Sequence, residues 1–527
     1  MSTAETNTTE KSFTAAFFSS PETTPEPSIK KKAAELRRDT IDKLHIFVAT
    51  DTAGVVAGAK KTLEAVKKYI GERSINANVI ETGNMGISSF SPVMDVQIPG
   101  HTRVSFKCVS DENVPSILDG VLNKELPQEH LIGQYHNDLH EEFENVPFIH
   151  SLPFFKLQKR LILKNCGKVN PCSVDEYVAH GGYTAFLKTI TNYTPESVCD
   201  LMEQSGLRGR SGSGYPVGEK WRITLTTAAD EKFLICNADE SDPGAFMDRT
   251  LMEGIPHRIL EGIALGSYAI GARTAYIYIK NEYHLAIERL EKAIKEAYSA
   301  GLLGNNIYQS GYSLQIKIVK GAGAFVCGEE TALISSIEGK RGMPRHKPPY
   351  PSQSGLFGKP TVVNNAETLA GVPAIFENGP NWFAKIGTEK SKGTKIFTVS
   401  GKVRYTGLVE VPMGTTFRDI IFECCGGMSG DKDFKSLLIG GPLGYCINEE
   451  LLDTPVDFQK LEKAGFTMGS GGLVVMDEDT CMVDMARYFA EFIRRESCGK
   501  CIPCREGSKR MFEILELLTH KPAENDR

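Results

Sequence analysis

The chain has 527 residues, of which 41% are apolar and 24% are charged, and its formal net charge is −6. This length allows several domains, each with its own core. The charge balance gives no basic surface for nucleic acid, and no apolar run approaches the roughly eighteen residues that cross a membrane, so neither partner is expected.

The chain start and the cysteines indicate the compartment. The start, "MSTAETNTTEKSFTAAFF", lacks the basic flank and the long apolar stretch of a secretory signal. Thirteen cysteines are scattered along a long chain, which favours reduced thiols and a metal site over a disulfide framework. We therefore expect a cytoplasmic protein.

The first part of the chain predicts a tail, a small domain and a connector. Residues 1–43 are polar and contain proline, so we expect a disordered tail. Strand-like runs "KLHIFVAT", "ANVIET" and "RVSFKCV" surround the helical pattern "GAKKTLEAVKKYI", which predicts an α/β domain over residues 44–124. Residues 125–200 show no chemistry and are interpreted as a connector laid along the next domain.

The rest of the chain predicts an α/β multidomain protein. Strand and helix signals alternate over residues 201–393, which indicates parallel strands with helices on both faces. Shorter segments over residues 394–465 predict a β-rich module, and residues 466–527 predict a helical domain. In that domain one apolar stripe at helical spacing is interpreted as a packing face: Met482, Met485, Tyr488, Phe489 and Phe492.

Two loops of the central region carry glycine or acidic residues. "GLRGRSGSGYPVGEKW", residues 206–221, is dense in glycine and includes Lys220, so its backbone could approach an anion; a linker is the alternative. "ICNADESDPGAFMDR", residues 235–249, runs from a strand into an acidic loop, for which a solvated turn is the alternative.

Two further loops follow later strands. "GAGAFVCGEETALISSIEG", residues 321–339, places Glu329 and Glu330 at a helix start, where capping alone could explain one of them. "KPPYPSQSGLFGKPTVVNNAETL" holds prolines around Tyr350 and then adjacent amides. Because ligands of open parallel sheets bind beyond the carboxyl ends of the strands, the four loops predict one composite pocket.

A cysteine motif lies near the end of the chain. "ESCGKCIPCREG" places Cys498, Cys501 and Cys504 at two-residue spacing. Soft thiolates at this spacing suit an iron–sulfur cluster or structural zinc. The spacing alone leaves both metals open, and it provides only part of a ligand set.

At this point the chain resembles a known family through the runs "GLRGR", "CNADES", "CGEETAL", "KPP", "VNNAETL" and "ESCGKCIPCREG". It is similar to the NADH-binding flavoprotein subunit of respiratory complex I and of its soluble relatives in NAD-linked hydrogenases and formate dehydrogenases. The resemblance covers roughly residues 145–510. It implies an NADH dehydrogenase activity in which NADH reduces FMN and single electrons leave through a [4Fe-4S] cluster.

The resemblance also implies roles for individual residues. Hydride transfer needs positioning of the nicotinamide against the flavin, so no dedicated acid or base is expected. The expected FMN contacts are Gly209, Gly212, Gly214, Lys220, Asn237, Asp239, Glu240, Gly328, Asn364 and Asn365. The expected NADH contacts are Tyr215, Asp242, Glu329, Glu330, Lys347 and Tyr350. A carboxylate near the adenine ribose would favour NADH over NADPH.

For the metal, the resemblance implies that Cys498, Cys501 and Cys504 bind the cluster with a fourth cysteine beyond Arg527, so we expect the helical domain to be incomplete. Residues 394–465 are then expected to be a ubiquitin-like, soluble-ligand-binding β-grasp module. Expected partners are a small thioredoxin-like [2Fe-2S] subunit and a larger iron–sulfur or catalytic subunit.

The N-terminal domain resembles a thioredoxin-like domain that carries a [2Fe-2S] cluster in related proteins. Four positions that hold cysteines there are occupied by Ala49, Gly54, Asn84 and Ser88. We therefore expect a fold without a cluster. The ten remaining cysteines are interpreted as packed thiols, with Cys236 and Cys327 beside the flavin loops: Cys108, Cys166, Cys172, Cys199, Cys236, Cys327, Cys424, Cys425, Cys446 and Cys481.

Several departures from the family pattern keep alternatives open. Ser211, Ser213 and Tyr215 interrupt the usual glycine run, and Ile223 and Phe325 replace residues that are commonly aromatic and Tyr. A cofactor-depleted scaffold subunit is one alternative, and a zinc-stabilised nucleotide-binding regulator is another. The sequence does not identify the terminal acceptor, the direction of electron flow or any bifurcation.

Overall fold

The computed structural model describes residues 12–19 and 26–520. The expected disordered tail is wrong for its described part, because two helices form there, α1 (Phe13–Ser19) and α2 (Pro27–Arg37). Both helices are anchored by contacts with later parts of the chain. Arg38 forms a buried ion pair with Glu176 at 2.6 Å, and α1 packs its phenylalanines on the central core. The polar runs at residues 1–11 and 20–25 lie outside the described residues.

The N-terminal α/β domain is a five-stranded sheet of order β2-β1-β3-β4-β5, in which β1 pairs parallel with β2 and antiparallel with β3. The predicted strands and helix are confirmed, but the predicted end at residue 124 is too early because the last strand pairs with β4. The elements are β1 (Leu44–Ala49), α3 (Thr52–Ala57), α4 (Ala59–Glu72), β2 (Ala77–Thr82), β3 (Met94–Gln97), β4 (Val104–Phe106), α5 (Val114–Leu122) and β5 (Leu131–Gln134).

The connector is part of the central core. Val178 and Phe186 are buried in the same apolar cluster as the central strands, so the connector packs along the central domain. The helices that lead into the central sheet are α6 (Pro153–Lys156), α7 (Val174–Ala179), α8 (Thr184–Asn192), α9 (Pro195–Ser205) and α10 (Val217–Thr226).

The central sheet has four parallel strands in the order β8-β7-β6-β9, which confirms the predicted parallel arrangement. The chain moves from β6 through β7 to β8 and then returns to the other side of β6, so the strand order reverses between β6 and β9. Ligands of open α/β sheets bind at such a reversal. The elements are β6 (Phe233–Ala238), α11 (Met247–Gly254), α12 (Pro256–Ile270), β7 (Thr274–Lys280), α13 (His284–Ser299), β8 (Gln315–Gly321), α14 (Glu330–Ile337), β9 (Thr361–Asn365), α15 (Ala366–Asn378) and α16 (Pro380–Ala384).

The β-rich module is a mixed five-stranded sheet of order β11-β10-β14-β12-β13. Its predicted end at residue 465 is wrong, because the apolar run Gly472–Asp477 is inserted between β10 and β12 and so belongs to the module's core. The elements are β10 (Thr394–Gly401), β11 (Gly407–Pro412), β12 (Phe434–Ile439), β13 (Tyr445–Ile447), α17 (Phe458–Lys463) and β14 (Gly472–Asp477).

Two helices end the described chain, α18 (Met482–Glu496) and α19 (Ile502–His520), and they pack against each other. The predicted packing stripe is confirmed only in part. Phe492 meets the ring of Phe325 edge-on at 5.3 Å, whereas Tyr488 is 48% exposed. None of the helices in residues 12–19 and 26–520 is long and apolar enough to span a membrane.

Candidate flavin and nicotinamide site

A cavity of about 420 Å³ opens at the carboxyl ends of β6 and β9, where the strand order reverses. Three parts of the chain line it: the central domain, the β-rich module through Leu443 and Ser470, and the cysteine segment through Cys498 and Cys504. Nine predicted cofactor or metal residues are among its walls: Asn237, Asp239, Glu240, Asp242, Gly328, Glu329, Asn365, Cys498 and Cys504. The volume falls in the usual range for small-molecule sites.

The end of β6 is tied to the turn that follows β8. The side-chain amide of Asn237 donates to the carbonyl oxygen of Gly328 at 2.9 Å, and its own oxygen accepts from the Asp239 N–H at 3.1 Å. Asn237 is in register with Asn365 on β9. The two strands and the β8 turn are thereby brought to one edge, as the loop sequences predicted.

Buried carboxyl groups give the cavity its electrostatics. Burial raises the pKa of Asp239 to about 7, with Lys280 opposing the rise and the charge of Glu496 adding to it. Asp239 Oδ2 has no hydrogen-bond partner among the described residues. Burial also raises the pKa of Glu240, although its carboxylate accepts the N–H groups of Asp248 and Arg249 at 3.0 Å.

Asp248 was not predicted as a site residue, although it belongs to the quoted run "SDPGAFMDR". It lines the cavity, accepts the Asn365 side-chain amide at 2.5 Å, and accepts the Glu367 N–H at 3.1 Å. Burial raises the pKa of Asp248 well above its ordinary value, with the charges of Glu240 and Glu367 adding to the effect. Burial in the cavity walls therefore disfavours the charged forms of these carboxyl groups.

A second cluster adjoins the cavity through Glu329. Lys347 Nζ lies 2.6 Å from Glu330 and 3.1 Å from Glu329, and Lys220 Nζ lies 3.7 Å from Glu330. Burial lowers the pKa of Lys220 despite the nearby Glu330. Glu329 also accepts the N–H groups of Thr331 and Ala332, so it is the member of the pair that caps α14.

The aromatic side chains predicted to contact NADH lie beside this second cluster. Tyr215 is 41% exposed and Tyr350 is 54% exposed. Lys220 Nζ lies 5.8 Å from the centre of the Tyr215 ring. Among the described residues, Tyr215, Lys220, Glu330, Lys347 and Tyr350 do not line the cavity itself, so the predicted composite pocket divides into an enclosed part and an open, charged part.

The glycine-rich loop packs closely against the β-rich module. A Cβ at Gly212 would lie 2.9 Å from the Gly469 backbone, and one at Gly214 would lie 2.7 Å from the Phe458 ring. Both glycines have positive φ, and Gly209 donates its N–H to Tyr215 at 2.9 Å. The glycines thus allow contact with the β-rich module, and of this loop only Ser211 lines the cavity.

Asn364 does not line the cavity. It is buried, and its side-chain oxygen accepts the Trp221 indole N–H at 2.9 Å. Alternate side chains of a strand point to opposite faces, so Asn365 faces the cavity and Asn364 the packed layer of α10. The sequence could not separate these two adjacent amides.

The cysteine segment forms part of the cavity wall. Cys498 and Cys504 line the cavity, whereas Cys501 is exposed and is not a wall residue. Within residues 12–19 and 26–520 no three His, Cys, Asp or Glu side chains are arranged to hold a metal ion. As ligand types, the three thiols suit an iron–sulfur cluster.

Cysteine positions elsewhere were predicted with mixed success. Cys108, Cys446 and Cys481 are exposed, so their interpretation as core thiols was wrong. In the N-terminal domain a Cβ at Gly54 would lie 2.1 Å from the Ala49 carbonyl oxygen. Asn84 accepts the Gly86 N–H and donates to Ser91. These positions are filled by local packing.

Comparison of the chain with known proteins finds three matching family models. The Nuo51 FMN-binding domain matches residues 202–374, the SLBB domain matches residues 396–446, and the NADH-ubiquinone oxidoreductase-F iron-sulfur binding region matches residues 484–527. The NADP-reducing hydrogenase subunit HndC of Solidesulfovibrio fructosivorans is 53% identical over 364 residues, covering 69% of this chain and 74% of the relative. The chain belongs to the family of NADH-binding FMN flavoprotein subunits.

Further relatives agree with this family. An NADH-quinone oxidoreductase subunit of Rhizobium meliloti is 47% identical over 355 residues, covering 67% of this chain and 84% of the relative. The solved structure of an NAD+-reducing [NiFe]-hydrogenase in the H2-reduced state aligns with a TM-score of 0.61 at 28% identity, covering 93% of this chain and 79% of that chain. This flavoprotein subunit therefore uses FMN, NADH and a [4Fe-4S] cluster, and it transfers electrons to partner subunits.

The cavity of this flavoprotein subunit suits a polar ring and its side chain. The unpaired Asp239 Oδ2 and the paired Asn237 and Asn365 amides offer hydrogen-bonding groups at the strand ends. A Cβ at Gly328 would meet nothing closer than 3.8 Å, so space remains above this turn. Residues that sequence reasoning missed include Ser470, Ile493 and Glu496; of these, Glu496 opens the quoted motif "ESCGKC" and carried a detectable signal.

Proposed function

We propose that FMN occupies the cavity at the ends of β6 and β9, and that NADH approaches through the open cluster of Lys220, Glu330 and Lys347. The observation that supports this is the shared cavity: Asn237 and Asn365 from the strand ends line the same cavity as Cys498 and Cys504. FMN supplies the two-electron to one-electron conversion. The chain's contribution is to position the nicotinamide and to exclude water.

The charges around the cavity suit this chemistry. Lys347 and Lys220 offer cations to phosphates, and the pKa of Lys347 is raised because its hydrogen bonds to Glu330 and Glu329 outweigh its partial burial. Glu330 in this cluster would meet a ribose hydroxyl more favourably than a second phosphate, which supports NADH over NADPH. The relative HndC is named as NADP-reducing, so the preference has to be measured.

Cys498, Cys501 and Cys504 are proposed as ligands of the [4Fe-4S] cluster. The cytoplasmic location stays a prediction. As partners we propose a small thioredoxin-like [2Fe-2S] subunit and a larger iron–sulfur or catalytic subunit. The N-terminal α/β domain is proposed to be thioredoxin-like and without a cluster. Two of the positions expected to hold cysteines are packed locally instead: Gly54 leaves no room for a side chain, and Asn84 bonds the Gly86 N–H.

Anaerobic purification tests the proposal. The protein should show a flavin absorption band that NADH bleaches, together with iron and acid-labile sulfide. A protein without a flavin band after reconstitution with FMN would indicate a cofactor-depleted scaffold, and zinc without iron would indicate a zinc-stabilised regulator. Triple replacement of Cys498, Cys501 and Cys504 by Ser should remove iron and leave the NADH-bleachable flavin band.

A further inference from the structure

Glu496 links the cysteine segment to the turn that follows β8. It is the last residue of α18, two residues before Cys498, and its Oε2 accepts the backbone N–H of Phe325 at 2.9 Å. Phe325 begins the 3-10 turn Phe325–Gly328, whose last carbonyl accepts the Asn237 amide. Both Glu496 and Phe325 line the cavity.

The position of Glu496 is unfavourable for a local role. A carboxylate at a helix C-terminus is repelled by the helix dipole, whereas cations such as the adjacent Arg494 and Arg495 are stabilised there. Both arginines pair with Glu491 on the same helix, and no cation of the described residues lies within 4.0 Å of Glu496. The contact with Phe325 is therefore the interaction that offsets this cost.

Further contacts between the same two segments surround this hydrogen bond. The rings of Phe325 and Phe492 meet edge-on at 5.3 Å, and Phe492 lies one helical turn before Glu496 on the same face. The Arg341 guanidinium donates to the Cys498 carbonyl oxygen at 3.0 Å. The cysteine segment is thus docked on the central domain at the wall of the proposed flavin site.

We infer that Glu496 is a positioning residue that holds the Phe325–Gly328 turn against the cysteine segment and so fixes the approach between the flavin site and the cluster ligands. The inference rests on the proposed function. Electron transfer slows steeply with distance, so a loosened turn should slow the step from the flavin site to the cluster more than it slows hydride transfer. The Glu496 side chain also lines the cavity itself, so the same residue contacts the turn and borders the proposed flavin site.

Three variants of the anaerobically purified protein test this inference. Glu496→Ala removes both the hydrogen-bond acceptor and the carboxylate, whereas Glu496→Gln keeps an acceptor oxygen without the carboxylate. Glu491→Ala is the control: it removes a carboxylate of the same helix, and that carboxylate bonds Arg495 and not Phe325. Stopped-flow absorption after mixing with NADH follows flavin bleaching and cluster reduction separately. A dye-coupled titration gives the flavin midpoint potential.

In Glu496→Ala, the ratio of cluster reduction rate to flavin bleaching rate should fall at least tenfold. In Glu496→Gln, the ratio should stay within threefold of the unmodified protein, while the flavin midpoint potential becomes more positive because a nearby negative charge is lost. Glu491→Ala should change neither quantity. A ratio in Glu496→Ala that equals that of Glu491→Ala, or a Gln variant as slow as the Ala variant, overturns the inference.

Hydrogen–deuterium exchange provides a readout that needs no cofactor. Backbone amides of the segment around Phe325 should exchange at least tenfold faster in Glu496→Ala than in Glu496→Gln or Glu491→Ala. Equal exchange in all three variants contradicts the inference even if the cluster is lost from the Ala variant. If NADH fails to bleach the flavin of the unmodified protein, the proposed function fails, and the exchange result still decides whether Glu496 holds the turn.

Discussion

The Asn237 side-chain amide donates to the Gly328 carbonyl oxygen at 2.9 Å and so joins the end of β6 to the turn Phe325–Gly328 that follows β8. The residues are ninety-one positions apart in the chain. This bond keeps the turn Phe325–Gly328 over the cavity, so both the flavin site and the Glu496 contact depend on it. It offers a direct way to test whether the strand ends form one site.

Replacing Asn237 by Ala should weaken FMN binding by about tenfold, because a net hydrogen bond contributes about 1 kcal/mol and the Gly328 carbonyl would lose its partner. Fluorescence titration of the apoprotein with FMN measures the dissociation constant. Asn378→Ala is the control, because its amide bonds a carbonyl within its own helix. Equal FMN affinity in the two variants would exclude a role for Asn237 at the site.

Replacing Lys395 by Met should destabilise the protein strongly. Lys395 and Glu367 form an ion pair at 2.5 Å with side chains 0% and 1% exposed, and this pair joins β10 to α15. Removing one partner of a buried pair costs about 3–5 kcal/mol because the other charge stays unpaired. Thermal unfolding should show a lower midpoint for Lys395→Met, and the double variant with Glu367→Met should recover most of the loss.

Stability of the apoprotein should respond to pH through Asp239. Its pKa is raised from an ordinary value near 4 to about 7 by burial, so the native state keeps a proton that the unfolded state releases between these values. The free energy of unfolding therefore falls as pH rises through this window, and the contribution of Asp239 levels off above about pH 7.

Asp239→Asn removes this titration, so the variant should gain stability relative to the unmodified protein from about pH 5 to about pH 8, on the order of 1–3 kcal/mol. Thermal unfolding midpoints at several pH values measure the difference. Other buried carboxyl groups with a raised pKa, such as Glu261 and Asp51, contribute equally to both proteins, so their effect cancels when the unmodified protein is subtracted from the variant. Glu389→Gln is the control, because the Glu389 side chain is 87% exposed, and its stability difference from the unmodified protein should not change with pH. A stability difference for Asp239→Asn that is likewise independent of pH would contradict the prediction.

The two tryptophans should differ sharply in their contribution to stability. Trp221 is fully buried and donates to Asn364, whereas Trp382 is 36% exposed. Trp221→Phe should cost about 2 kcal/mol because ring volume is lost and the Asn364 oxygen loses its donor. Trp382→Phe should cost less than about 0.5 kcal/mol. Urea unfolding followed by circular dichroism compares them, and equal losses would contradict the structure.

Much of the site was predictable because its residues occupy loops after strands of a parallel sheet. The runs around Asn237, Glu329 and Asn365 carry polar side chains where apolar strands end, and the strands of such a sheet end at one edge. The adjacent amides Asn364 and Asn365 could not be told apart. Which one faces the cavity depends on the pleat of β9 and on the buried Trp221 beside it.

The features that the sequence did not reveal share a physical cause. Glycine density was interpreted as access for a ligand, which stays a prediction, and it gave no sign that Gly212 and Gly214 also make room for Gly469 and Phe458, which lie far away in the chain. The strand Gly472–Asp477 was assigned to the helical domain because its partners β10 and β12 are not visible in local sequence. The polar segment before residue 43 forms helices because Arg38 and Thr14 find distant acidic partners.

By itself the sequence determined the order of the elements, the parallel central sheet, the cofactor family and the cysteine motif, because periodicity and short motifs are local properties of the chain. Only the tertiary structure decided that the β-rich module and Glu496 contribute to the same cavity as the strand ends. Contacts between residues far apart in the chain depend on packing, and packing is set by which surfaces bury each other once the whole chain has folded.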